Sequence, residues 1–217
     1  MASFVIKTNY LINEQSNKSS SNMYINSIKN NVQKQKNELV TIEIINFINN
    51  NLMKKIETNK KNRRKQSQGP NEPFFSRKVP KLTLGKFINR IIKYAELENM
   101  TLLLAFIYIE KLIEKENFIL GINNIYRLLL AAVVLAIKIL EDKKFDNEAY
   151  SQIGGLSLSE FNKIEYSLAT RLNFELNPHY EDFESIIEKI NSLTTQKPRN
   201  QSEDDETADG LTGGQIE

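Results

Sequence analysis

The sequence predicts an all-α protein: five core helices, one further helix ahead of them and a short one after them, between flexible polar termini. Three observations predict it. From residue 80 to 190, apolar residues recur at intervals of three and four, the period of a helix face. No stretch of that core alternates apolar and polar residues as a half-buried strand would. Helix boundaries are marked as well, with Thr83 and the pair Ser157 and Glu160 at starts, and Gly154-Gly155 and Asn177-Pro178 at stops.

Residues 1–37 are dominated by Asn, Ser, Lys and Gln, and their isolated Tyr and Ile keep no period. Burial there hardly offsets ordering entropy, so a disordered arm is expected. Over 38–58, Leu39, Ile42, Ile45, Ile48 and Leu52 share one face and predict an outer helix. Residues 59–79 read as a solvated basic linker, in which Lys60, Lys61, Arg63, Arg64 and Lys65 run into the breakers Gly69, Pro70 and Pro73. Such a run can also act as a nuclear import signal or a nucleic-acid contact.

The five-helix domain is placed at 80–176. Its first helix takes Thr83 as N-cap and sets Phe87, Ile88, Ile91 and Tyr94 on one side. The second opens near Asn99 and is amphipathic, with Leu102, Leu103, Phe106, Ile109, Leu112 and Ile113 in its stripe. The third, Asn123 to Leu140, is apolar almost all round its middle, which predicts a central helix surrounded by the other four. A short fourth, Asn147 to Ile153, stops at Gly154 and Gly155, because the left-handed geometry of a helix end resists a Cβ. The fifth begins at a capping box, Ser157 with Glu160, ahead of Phe161, Ile164, Leu168 and Leu172. After Asn177-Pro178, the residues Tyr180, Phe183, Ile186, Ile187 and Ile190 predict a short C-terminal helix over 177–193, and an acidic disordered tail over 194–217.

Composition narrows the function. A chain of 217 residues fits one or two domains at roughly 100–200 residues each. No cysteine is present, which removes disulfides, thiolate nucleophiles and sulfur-based zinc sites and fits an intracellular protein of the nucleus or cytoplasm. His179 is the single histidine, so one chain cannot assemble a His-based triad or a multi-His metal site. The longest apolar run, Leu128 to Ile137, is about half the ~20 residues needed to cross a bilayer. Neither an enzyme, a cofactor nor a membrane partner is expected.

Two charges stand in apolar company. Lys138 is the one polar side chain between Leu128 and Leu140, and Glu165 follows Phe161 by four residues beside Leu168 and Leu172. A buried, unpaired charge costs several kcal/mol by the usual estimates, so these two should pair, reach the surface or meet another protein. Spacing alone also fits a lysine that snorkels from a helix end and a glutamate at the edge of an amphipathic face.

Four ordered segments resemble a cyclin box of the single-box P/U type. The first, FFSRKVPKLTLGKFINRIIKYAEL, places Arg90, Ile91, Lys93 and Tyr94 where that group has RIxKY. The second, AFIYIEKL, is similar to AxxYIDRL with Glu110 for Asp and Lys111 for Arg, which leaves open whether an ion pair is buried there. NIYRLLLAAVVLAIKILED resembles the NVHRLLL third helix and includes Arg127. In the fourth, a helix containing Asn and Tyr leads through Gly154, Gly155 and Ser157 into an E-x-N-x-x-E helix formed by Glu160, Asn162 and Glu165.

The resemblance implies a regulatory subunit that binds a cyclin-dependent protein kinase as a heterodimer and activates it by positioning the kinase αC helix. It implies that Lys138 and Glu165, with Phe161 and Asn162, contact the kinase, Lys138 donating to main-chain carbonyls and Glu165 accepting from N–H groups. Glu110, Arg127, Gly154, Gly155, Ser157 and Glu160 are carried over as structural motif residues. It implies one box, the 41 residues after Leu176 being too few for a second. The rival is a cyclin-fold transcription adaptor, resembling the core of transcription factor IIB and binding DNA and protein. The basic linker motivates it; the single box, the lack of a Cys-rich ribbon and the near-neutral charge of +2 speak against it and against nucleic acid as a partner.

Overall fold

Seven helices and no strand occur among residues 42–62, 72–142 and 144–195, which the computed structural model describes. They are α1 (Ile42–Lys61), α2 (Leu84–Ala95), α3 (Asn99–Glu116), α4 (Ile125–Leu140), α5 (Asn147–Gly154), α6 (Leu158–Arg171) and α7 (Tyr180–Thr195). The arm over 1–37, the basic residues Arg63, Arg64 and Lys65 with Gly69 and Pro70, and the tail beyond residue 195 lie outside the described residues. The all-α class is as the sequence predicts.

Local signals fix several boundaries. The Thr83 hydroxyl accepts from Lys86 N at 3.3 Å and caps α2. At α6 both halves of the capping box form: Glu160 N donates to Ser157 Oγ at 3.3 Å, and Ser157 N donates to Glu160 Oε2 at 3.1 Å. Two of the donors that every helix start leaves unpaired are thereby satisfied. Gly155 ends α5 in the left-handed region at φ 66°. Asn117 ends α3 at φ 49°, a conformation that Asn tolerates better than most residues with a Cβ.

The core centres on two helices where the sequence pointed to one. In α4 every residue is buried except Arg127, Lys138 and Ile139. In α3, expected to bury one stripe, Thr101 through Ile109 are all buried, so more than two turns are covered on every side. α3 and α4 share the largest helix–helix contact, and the far side of α3 is covered by α1 and α7, which also touch each other. Phe47 of α1 meets Phe106 of α3 edge to face at 5.7 Å. The helix after the box is shifted from the expected 177–193: α7 spans Tyr180–Thr195 and buries Phe183, Ile186, Ile187 and Ile190.

The stretch expected as a solvated linker is partly docked. Lys60 and Lys61 close α1. Phe74 is 0% exposed and packs edge to face on Phe118 at 6.1 Å, and the Arg171 guanidinium lies 5.5 Å from its ring. Glu72 takes Arg171 Nη2 at 2.8 Å, and Ser76 N donates to Asn123 O at 2.8 Å. Burying one phenylalanine contributes about 1.5–3 kcal/mol, enough to hold a short strap against the domain.

Candidate functional site

α4 delivers Lys138 in its last turn and α6 delivers Glu165 in its middle, and the Lys138 ammonium forms an ion pair with Glu165 Oε1. The pair is partly open, with side-chain exposures of 34% for Lys138 and 14% for Glu165. Of the outcomes open to these two charges, they meet each other at the edge of the core.

α5 completes the arrangement. Asn147 Oδ1 accepts from Lys138 Nζ at 2.8 Å, while its Nδ2 donates to Glu165 Oε2 at 3.0 Å and to Asn162 Oδ1 at 2.8 Å. Lys138, Asn147, Asn162 and Glu165 are one hydrogen-bonded cluster drawn from three helices. Lys144 Nζ donates to the Lys138 carbonyl at 2.9 Å, satisfying one of the free carbonyls at the end of α4.

Phe161, expected on the contact surface, is 0% exposed, and its ring stacks on Tyr150 at 6.5 Å. It seats α6 on α5 and offers no surface to a partner. Tyr150 Oη accepts from Phe145 N at 3.1 Å, so the loop entering α5 is tied to the same aromatic pair.

The remaining expected residues form a second group. Arg127 Nη2 pairs with Glu160 at 2.7 Å and Nη1 donates to the Pro73 carbonyl at 3.3 Å, tying α4, the start of α6 and the strap. Glu160 is held below the usual carboxylate range, first by the Ser157 N–H, then by Arg127. Gly154 lies against Leu130, whose Cδ2 would be 2.3 Å from an added Cβ. Glu110 pairs with Lys55 at 3.0 Å, so the substituted position does hold an ion pair, about one third exposed, with the outer helix.

Sequence reasoning missed Asn147 and Glu141. Asn147 follows the N-cap Asp146, whose Oδ1 accepts from Ala149 N at 2.8 Å, and a polar residue at a helix start reads as ordinary capping chemistry. Glu141 follows α4 directly, is pushed up to about 7 by burial, and accepts from Glu98 N at 3.5 Å.

Apolar side chains stand exposed near the cluster in sequence: Phe145, two residues before Asn147; Leu158, one turn before Asn162; and Tyr166, next to Glu165. Tyr166 meets Phe174 edge to face at 6.4 Å, and Asn173 and Phe174 sit at φ 56° and 57°. Left-handed backbone at a phenylalanine costs about 1–3 kcal/mol and here leaves its ring 60% exposed.

Among the described residues no group of His, Cys, Asp and Glu could hold a metal ion, and no helix is long and apolar enough to cross a membrane. Fold and site define a helical domain that presents a fixed set of donors and acceptors on its surface. The cyclin family model matches residues 7–176, and the chain belongs to the cyclin family, whose members are regulatory, non-catalytic subunits. It is 33% identical over 115 residues to Cyclin-U1-1 of Arabidopsis thaliana, covering 52% of this chain and 55% of that one. To Cyclin-P3-1 of Oryza sativa subsp. japonica it is 31% identical, covering 56% and 51%. To Cyclin-U4-1 of Arabidopsis thaliana it is 31% identical over 144 residues, covering 65% and 71%. The chain thus spans about half the length of the first two relatives.

Proposed function

We propose that the chain binds and activates a cyclin-dependent protein kinase as a heterodimer, with Lys138 and Glu165 as the principal contacts and Asn162 beside them. The observation that carries this reading is the Lys138–Glu165 pair at the edge of the core. An ammonium has three donors and a carboxylate about four acceptor positions, so each group keeps capacity for a partner's main chain after pairing with the other. Phe145 and Leu158, both exposed, supply apolar area for the same contact. A kinase transfers phosphate only when its αC glutamate pairs with its strand lysine, and a partner that holds αC inward turns it on.

The test titrates each cyclin-dependent kinase catalytic subunit of the source organism, produced recombinantly, with the wild-type chain, Lys138→Glu and Glu165→Lys, and measures phosphorylation of a generic peptide. Wild type is expected to bind and stimulate at least one kinase, and both variants to lose binding while keeping their helical circular dichroism. Undiminished binding by either folded variant sinks the proposal.

A further inference from the structure

Asn147 contributes the only side chain in the cluster that bonds both members of the ion pair, its Oδ1 accepting from Lys138 Nζ and its Nδ2 donating to Glu165 Oε2. Charge fixes which way the amide faces. Turned over, it would set N–H groups against an ammonium and an oxygen against a carboxylate. Its second N–H goes to Asn162 Oδ1, so both amide donors are used. No other residue type of this length offers an acceptor and two donors at once: aspartate would repel Glu165, and leucine would bond to neither.

The backbone that carries Asn147 is itself held. Asp146 caps the helix, Tyr150 stacks on Phe161, and Gly154 closes on Leu130 at the other end of α5. A short side chain on an anchored helix can therefore restrain a long one.

We infer that Asn147 is a positioning residue of the kinase-binding site, its amide holding the Lys138 ammonium and the Glu165 carboxylate in a single arrangement before the partner arrives. This rests on the reading of Lys138 and Glu165 as kinase contacts. A lysine has a flexible four-carbon stem, and ordering it only on binding would weaken the complex. With Asn147 in place, one ammonium N–H and the second lone pairs of the carboxylate remain for the partner, already oriented.

The test uses the full chain as wild type, Asn147→Ala, Asn147→Asp and Glu165→Ala. Two quantities are measured: the mobility of the Lys138 ammonium by 15N relaxation, and affinity for the recombinant kinase subunit that wild type binds. Asn147→Ala is expected to stay folded with a modestly lower unfolding midpoint, free the ammonium and weaken binding up to about tenfold, the cost of ordering a long side chain only on association. Asn147→Asp keeps the acceptor for Lys138 but faces Glu165 with a like charge, and is expected to bind more weakly than Asn147→Ala. A Lys138 ammonium as ordered in Asn147→Ala as in wild type overturns the inference. Binding that Glu165→Ala removes and Asn147→Ala leaves intact overturns this inference alone. Failure of wild type to bind any kinase subunit overturns it together with the reading of the site.

Discussion

Glu110 and Lys111 are neighbours in α3 that hold different helices: Glu110 pairs with Lys55 of α1 at 3.0 Å, and Lys111 pairs with Asp182 of α7 at 2.5 Å. Successive helical residues point about 100° apart, so two adjacent charges can secure two outer helices. The side chains in both pairs are about 30–40% exposed, so each pair contributes at most about 1 kcal/mol. Lys55→Met and Asp182→Asn are expected to lower stability by that much each and additively, since they lie in separate pairs. Urea unfolding of the single and double variants checks both amount and additivity.

The strap offers a larger effect. Phe74→Ala should cost about 3–5 kcal/mol if the site cannot collapse, since it removes a fully buried ring that packs on both Phe118 and Arg171. Thermal unfolding gives the loss. Faster cleavage by a low dose of protease near residues 72–79 than in wild type would show that the strap opens first. A cost below 1 kcal/mol would mean that the strap contributes little.

Gly154 and Gly155 are required for different reasons, and alanine separates them. At Gly154 a Cβ would fall 2.3 Å from Leu130 Cδ2, an overpacking expected to cost about 1–3 kcal/mol. At Gly155 nothing lies within 4 Å, so the cost comes only from a left-handed backbone and should be about 1 kcal/mol. Leu130→Ala added to Gly154→Ala should make the pair less damaging than the sum of the singles, whereas Gly155→Ala should add independently. Calorimetry on the five variants decides it.

Stability should depend on pH through Glu141. Burial raises its carboxyl from 4.5 to about 7 in the folded chain, so the folded state binds that proton more tightly than the unfolded one. Its contribution is complete below pH 4.5 and is lost as pH rises to about 7. Glu141→Gln, neutral throughout, is expected to flatten this part of the profile and to stabilise the chain more at pH 8 than at pH 5. An equal effect at both values contradicts the assignment.

What was legible in the sequence was local. The Thr83 cap, the Ser157–Glu160 box and the Gly155 stop depend on residues within a few positions, and each forms as read. The companionship of Lys138 and Glu165 in apolar surroundings was legible too, though spacing could not show that they meet across 27 residues. Phe161 was legible as apolar but its depth was not, because Tyr150 lies over it from another helix. Burial of the outer side of α3 depends on α1 and α7, both distant in sequence, and polar residues such as Thr101 gave no sign of it. Asn147 was hidden because its bonding partners lie 9 to 18 residues away on two other helices.

The cover that α1 and α7 place over α3 sets the size of the piece that can be handled alone. A fragment cut at residues 80 and 176, where the pattern of the box begins and ends, would leave α3 without α1 and α7 beside it, and Phe106 without Phe47. Exposed apolar patches of that kind drive self-association. The unit that folds is therefore larger than the recognisable motif, and a fragment for expression should keep α1 and α7 rather than stop at the motif's edges.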